Sequence, residues 1–157
     1  MTGAELKTLR EGLNLSAQEL ADILGIKAER SVRRWEDGSR AVPDDVAARV
    51  KTMDAEVDTL VEMLGDQMKA VPGLVGRVLL RYEKEADFLK YHAPIFNHAH
   101  AHRLHAAALG RFFRMPRRSK PVRLVSMNPE AYEAWRFQQG LEDDSANRCA
   151  WAVLQID

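Results

Sequence analysis

A single cysteine, Cys149, is all the thiol that the 157 residues carry. No disulfide can form within the chain, which suits a reducing compartment. No apolar run approaches the roughly 20 residues that a membrane helix needs. The opening residues, MTGAELKTLREG, are polar and lack the apolar stretch of a signal peptide. Net charge is also missing, since 23 lysines and arginines balance 23 aspartates and glutamates. Overall charge therefore names no partner. There is no glycine-rich phosphate loop, no HExxH, and no recognisable nucleophile–base pair. These absences lead to the expectation of a soluble cytoplasmic protein that is not an enzyme and uses no cofactor. What is present is apolar material, 46% of the residues, enough for the core of one domain or two small ones.

The zero net charge hides a division. Residues 1–70 hold 10 basic and 14 acidic residues, a net of −4, whereas residues 71–157 hold 13 and 9, a net of +4. Within the acidic half, five of the ten basic residues fall between Lys27 and Arg40. Thr2 with Glu5, and Ser16 with Glu19, have the spacing of capping boxes. After the first box, Leu6, Leu9 and Leu13 recur at helical intervals, and Gly12 and Asn14 mark a stop. After the second, Leu20, Ile23 and Leu24 form a stripe that Gly25 ends. A third helix is predicted from about Ala28 to Asp37, with Val32 and Trp35 inward and Gly38 at its end. Pro43 opens a fourth, with Asp44 and Asp45 at the positive end of its dipole.

Two short helices around a tight glycine turn form the helix-turn-helix pattern. With Val32 and Trp35 as anchors, Glu29, Arg30, Arg33 and Arg34 face outward on the third helix. A helix of that width enters a DNA major groove, where arginine can bond guanine with two parallel hydrogen bonds. Ser39 and Arg40 in the following loop, Ser16 at the head of the second helix and Lys27 in the turn are the expected phosphate contacts. The alternative for these arginines is a solvated helix face.

LSAQELADILGI followed by RRWEDGSR resembles the repressor and Cro type of phage and bacterial helix-turn-helix domain, over residues 2 to about 60. Ten positions separate Gly25 from Trp35, one more than is usual in that broad group. With Arg30-Ser31, W-E-x-G and AVPDDV, the stretch is similar to the anti-CRISPR-associated autorepressors of phages and to related bacterial proteins. The resemblance is close over residues 2–47 and loose beyond about residue 90. It implies a C-terminal dimerisation domain after the fourth helix, and Arg30 and Arg33 as base readers. Arg34 stands where an uncharged residue is expected, so the operator sequence does not carry over.

Val46, Val50, Met53, Val57, Leu60 and Leu64 make a heptad-like stripe. It suits a long helix packed on its own domain or one that also meets a second chain. Ala70-Val-Pro-Gly73 then breaks the pattern. Beyond it the expected elements are a strand over Leu74–Tyr82, a short helix over Glu83–Tyr91, and a helix capped by Asn97 and running to about Arg114. They continue with a basic loop from Pro116 to Pro121, a strand over Val122–Met127, a helix opened by Asn128-Pro129 to about Gln139, and a last helical segment holding Ala146, Cys149, Ala150, Val153 and Leu154. A sheet with so few strands has open edges, and pairing across a two-fold axis protects them.

HAHAHRLH places His98, His102 and His105 at helical spacing, which could ligate zinc. With no cysteine or acidic residue near in sequence, His98, His100, His102 and His105 read as packing or interface histidines, and no metal is expected. RFFRMPRRSKPVR, with Arg111, Arg114, Arg117, Arg118, Lys120 and Arg123, reads as a solvated loop or a further phosphate patch. The expected class is α+β: residues 1–70 form a helical DNA-binding domain with a long fourth helix, and residues 71–157 a small α+β dimerisation domain. The expected function is a homodimeric repressor on an inverted-repeat operator in double-stranded DNA, controlling its own phage or anti-CRISPR operon. Two other readings stand beside it. One is an antitoxin that represses its operon and binds a toxin. The other is RNA binding, with Phe112 and Phe113 as stacking surfaces.

Overall fold

The structure, a computed structural model, describes residues 1–70, 77–92, 96–116 and 121–156. Among these it is mostly helical, with eight helices and two short strands, an α+β arrangement with an all-helical N-terminal region. By packing the chain divides into two compact units. Unit 1 holds Met1–Leu60 and the described part of Pro94–Ala108, and unit 2 holds the rest.

In unit 1, helix α1 spans Gly3–Gly12, α2 Ala17–Leu24 and α3 Glu29–Glu36, and α4 runs Asp44–Ala70, contributing its residues to Leu60. Both capping boxes form. Thr2 N–H donates to Glu5 Oε2 at 2.6 Å and Glu5 N–H to Thr2 Oγ1 at 3.2 Å. Ser16 N–H donates to Glu19 Oε2 at 2.7 Å and Glu19 N–H to Ser16 Oγ at 3.1 Å. Each box satisfies two backbone donors that the helix itself leaves unpaired. The core is built from Leu6, Leu13, Leu20, Val32, Val50 and Val57, all fully buried. Every member of the stripe from Val46 to Leu64 is buried.

The first helix departs from expectation at one position. Arg10, not Leu9, is the buried residue of its last turn. Leu6, Arg10 and Leu13 share a face at spacings of four and three just as Leu6, Leu9 and Leu13 do, so periodicity alone cannot choose between them.

The segment of residues 96–108 also belongs to unit 1, and with it the start of α6 (Ala101–Arg114). Phe96, Ala101, Leu104 and Ala108 are buried there. The helix begins at Ala101, three residues later than a cap at Asn97 implied. His100, just before it, has φ of 59°, outside the helical region. His98 and His100 are each bonded to a carboxylate, Glu56 and Asp22 respectively.

Unit 2 contains a two-stranded parallel sheet, β1 (Val78–Arg81) with β2 (Arg123–Ser126), in register Val78 with Arg123 through Arg81 with Ser126. The expected strand over Leu74–Tyr82 is realised in Val78–Arg81, and residues 74–76 lie outside the described residues. Helix α5 (Glu85–Tyr91) follows β1, and β2 leads into α7 (Pro129–Gln139) and α8 (Ser145–Val153). Asn128 caps α7 by accepting from Ala131 N–H at 3.1 Å, with Pro129 at its first position. Tyr132, fully buried, stands edge-on to Tyr91 at 5.7 Å and to Trp151 at 5.9 Å between ring centres. These contacts join α5, α7 and α8, and α8 packs on β1.

Among the described residues, the exposed large apolar side chains are Met63, Leu89, Phe113, Met115, Leu124, Phe137 and Leu154. All seven belong to unit 2. No helix of the described residues is long and apolar enough to cross a membrane.

Candidate nucleic-acid interface

Helices α2 and α3 are joined by a turn that begins at Gly25, the C-cap of α2, with φ of 71°. An L side chain rarely adopts that conformation, so glycine is what lets the chain reverse here. Arg49 of α4 closes the same helix end. Its Nη1 donates to Leu24 O at 2.9 Å and its Nη2 to Ile23 O at 2.6 Å. A cation on the last carbonyls meets both their unpaired lone pairs and the negative end of the dipole.

Helix α3 is anchored by Val32 and Trp35, both buried. At 100° per residue, Arg30, Arg33 and Arg34 fall away from these anchors and Glu29 on the flank, roughly 60° from Val32. Arg30, Arg33 and Arg34 are exposed, and Glu29 is partly so. Arg33 is held along the helix: its Nη2 lies 2.8 Å and its Nε 3.0 Å from Glu29 Oε1.

The C-terminal end of α3 is locked from α1. Glu36, whose side chain is 5% exposed, receives Arg10 Nε at 2.5 Å and Nη2 at 3.3 Å. Arg10 Nη1 donates in turn to Leu15 O at 2.8 Å. Both charges are thus buried with partners on several sides, which such a pair requires. Gly3 belongs to the same junction. A Cβ there would stand 2.7 Å from the Glu36 carbonyl oxygen and closer still to that of Trp35. Neither Arg10 nor Glu36 was singled out as a functional residue. The WE pair puts an acidic residue directly after the anchoring tryptophan, but its partner is 26 residues away and shares its helical spacing with Leu9, so no local signal pairs them.

The four expected phosphate contacts all lie in exposed positions next to these helices. Ser16 is the N-cap of α2, and its hydroxyl accepts from Glu19 N–H, which leaves its O–H as a donor. Lys27 lies between α2 and α3. Ser39 N–H donates to Asp37 Oδ1 at 2.8 Å, and Arg40 N–H to Arg34 O at 3.0 Å, so the backbone of this loop is pinned to the end of α3.

Helix α2 is also gripped from residues 98–103. His100 Nε2 is 3.1 Å from Asp22 Oδ2, and Arg103 Nε donates to Glu19 Oε1 at 2.8 Å. His98 Nε2 is 2.8 Å from Glu56 Oε2 on α4. The Asp22 carboxyl is held below its usual range by hydrogen bonds from Gln18 and His100. Burial pushes Glu19 upward, but the Ser16 N–H, Arg103 and the Ser16 hydroxyl outweigh it, and the net shift is down. His102 and His105 are buried. Among the described residues no group of three or more His, Cys, Asp or Glu side chains is placed to hold a metal ion.

Two other sequence features fall out differently. Phe112 is buried, 4% exposed, so it offers no stacking surface, and only Phe113 of that pair is open. It follows Leu109 and Ala108, both also buried, on the inner side of α6. Of the basic segment, Arg111 and Arg114 end α6 and Arg123 lies in β2. Arg117, Arg118 and Lys120 lie outside the described residues.

A model of the Aca2/YdiL-like family matches residues 1–113. The Aca2 repressor of Pectobacterium phage ZF40 is 46% identical over 46 residues, a stretch that makes up 29% of this chain and 40% of that relative. The matched stretch thus spans less than half of the relative's length.

Proposed function

The chain belongs to the Aca2/YdiL-like family, and from that premise we propose that it is a transcriptional repressor that reads double-stranded DNA with α3. The observation that carries the reading is the construction of that helix. Its arginine face is open, while Val32, Trp35 and the buried Arg10–Glu36 pair anchor its other side. A solvated surface helix does not require that fixing, whereas a base reader does, because a small displacement breaks a bidentate contact. Glu29, Arg30, Arg33 and Arg34 form the reading face, and Ser16, Lys27, Ser39 and Arg40 contact phosphates and set the register.

The active form is a homodimer joined through unit 2, where all the exposed large apolar side chains of the described residues lie. The two-stranded sheet there offers open edges besides. The operator is then an inverted repeat with half-site centres about one helical turn apart, roughly 34 Å. The similarity to a phage protein called a repressor supports control of a phage promoter, and we place that promoter ahead of the chain's own gene. Selecting bound sequences from a random duplex pool tests this directly. An inverted repeat that recurs in that promoter is the expected result, and a pool without any enriched sequence would sink the reading.

A further inference from the structure

We propose that Glu29 is a specificity-determining residue that acts through Arg33: its carboxylate holds the guanidinium side-on, so that the arginine meets a base edge rather than a phosphate. This rests on α3 being the DNA reader and goes further, since it gives the one acidic residue of the reading face a task of its own.

The geometry is that of a buttress. Glu29 Oε1 takes both the Nε and Nη2 of Arg33, at 3.0 and 2.8 Å. The two residues are four apart with the acid N-terminal, the favourable order on a helix. Nη1 of Arg33 lies 3.9 Å from Glu36 Oε2, and Glu36 is itself fixed by Arg10 at 2.5 Å. Arg33 is therefore flanked by two carboxylates along one helix, and the chain of charges ends in a buried pair. A guanidinium bound along its Nε/Nη2 edge keeps the edge between Nη1 and Nη2 for an outside acceptor. One N–H from each of these nitrogens then gives two parallel donors, as the O6 and N7 of guanine require.

Two consequences separate this from a mere surface ion pair. An arginine already held in one rotamer loses less freedom when it docks, which favours the contact that matches its orientation. The carboxylate also repels phosphates, which are identical at every step of the duplex. It lowers binding to random DNA more than binding to the operator, where the base edge compensates. Among the described residues, Arg30 and Arg34 on the same face show no such carboxylate within ion-pair distance, so the effect is specific to position 33.

The test measures affinity for the selected operator and for a random duplex over a range of salt, with the full chain and with Glu29→Ala, Arg33→Ala and the double variant. Thermal melts check that each is folded. Glu29→Ala should bind random DNA several-fold more tightly, with a salt slope steeper by about one unit. The operator-to-random ratio should fall about tenfold. In the Arg33→Ala background the same change should leave that ratio unaltered. An unaltered ratio for Glu29→Ala alone overturns the proposal. So does an equal loss in the Arg33→Ala background, which would mean that Glu29 contacts a base itself. If Arg33→Ala also binds the operator like the native chain, it is position 33 as a reader that fails.

Discussion

If α3 reads DNA as proposed, the arginines near it differ in what they distinguish. Arg30→Ala or Arg33→Ala should cost about 1–3 kcal/mol on the operator and relax preference at one base pair. Arg40→Ala should instead weaken operator and random DNA alike and lower the salt slope by about one unit. Affinities for operator variants at several salt concentrations separate the two patterns, and operator affinity unaffected by either α3 variant would remove α3 as the reader. Arg10 has a different role. Its loss leaves Glu36 a buried charge without its close partner, with only Arg33 Nη1 at 3.9 Å, so Arg10→Met should destabilise unit 1 by up to about 3–5 kcal/mol. Replacing both partners, as Arg10→Met with Glu36→Leu, should be much milder, because no charge is then left unsolvated. Thermal melts of the single and double variants decide this, and equal losses in both would mean that packing rather than charge burial dominates.

Elements were legible wherever their signals are local. Both capping boxes, the Gly25 turn, the Asn128-Pro129 start and the stripe from Val46 to Leu64 are set by residues within a few positions of each other. The grip on α2 was not legible, because its partners are distant: 84 residues separate Arg103 from Glu19, 78 separate His100 from Asp22, and 42 separate His98 from Glu56. Nothing in a one-dimensional pattern pairs them. Parallel pairing of β1 with β2 is non-local in the same way. A consequence is that residues 1–70 alone should be a poor domain. Without residues 96–108 the fragment loses the burial that Phe96 and Leu104 provide, each worth about 1.5–3 kcal/mol, together with the grip on α2. It should melt well below the full chain, and a fragment as stable as the intact protein would show the segment to be dispensable. The tie between α5 and α7 has a pH signature. Lys90, Tyr91 and Arg136 reach Glu133 at 2.9, 2.7 and 2.6 Å. Hydrogen bonds from Lys90 and then Tyr91 lower its pKa from 4.5 to about 2. Because the folded value is the depressed one, this stabilisation is complete above pH 4.5 and is lost as pH falls toward 2. The melting advantage of the native chain over Glu133→Gln should shrink through that window, and a constant difference down to pH 2 would disprove the linkage.

At the scale of the whole molecule, the two units carry different kinds of surface. Unit 2 holds all the exposed large apolar side chains of the described residues, with Phe137 86% exposed. Light scattering at micromolar concentration should give a mass of two chains. Phe137→Asp combined with Phe113→Asp should shift the protein toward monomer and weaken operator binding by more than it weakens a single half-site. A native mass of one chain would remove the homodimer. The discontinuous make-up of unit 1 has a further consequence, in the order of synthesis. Its last segment ends 48 residues after Leu60. At roughly 5–20 residues per second, a ribosome needs about 2–10 s to make that stretch. Throughout that interval the nascent α1–α4 region lacks the segment that completes its core. Unit 1 is therefore finished only late in translation, and a chain cut short before Ala108 should lack a complete core around the helix proposed to read DNA.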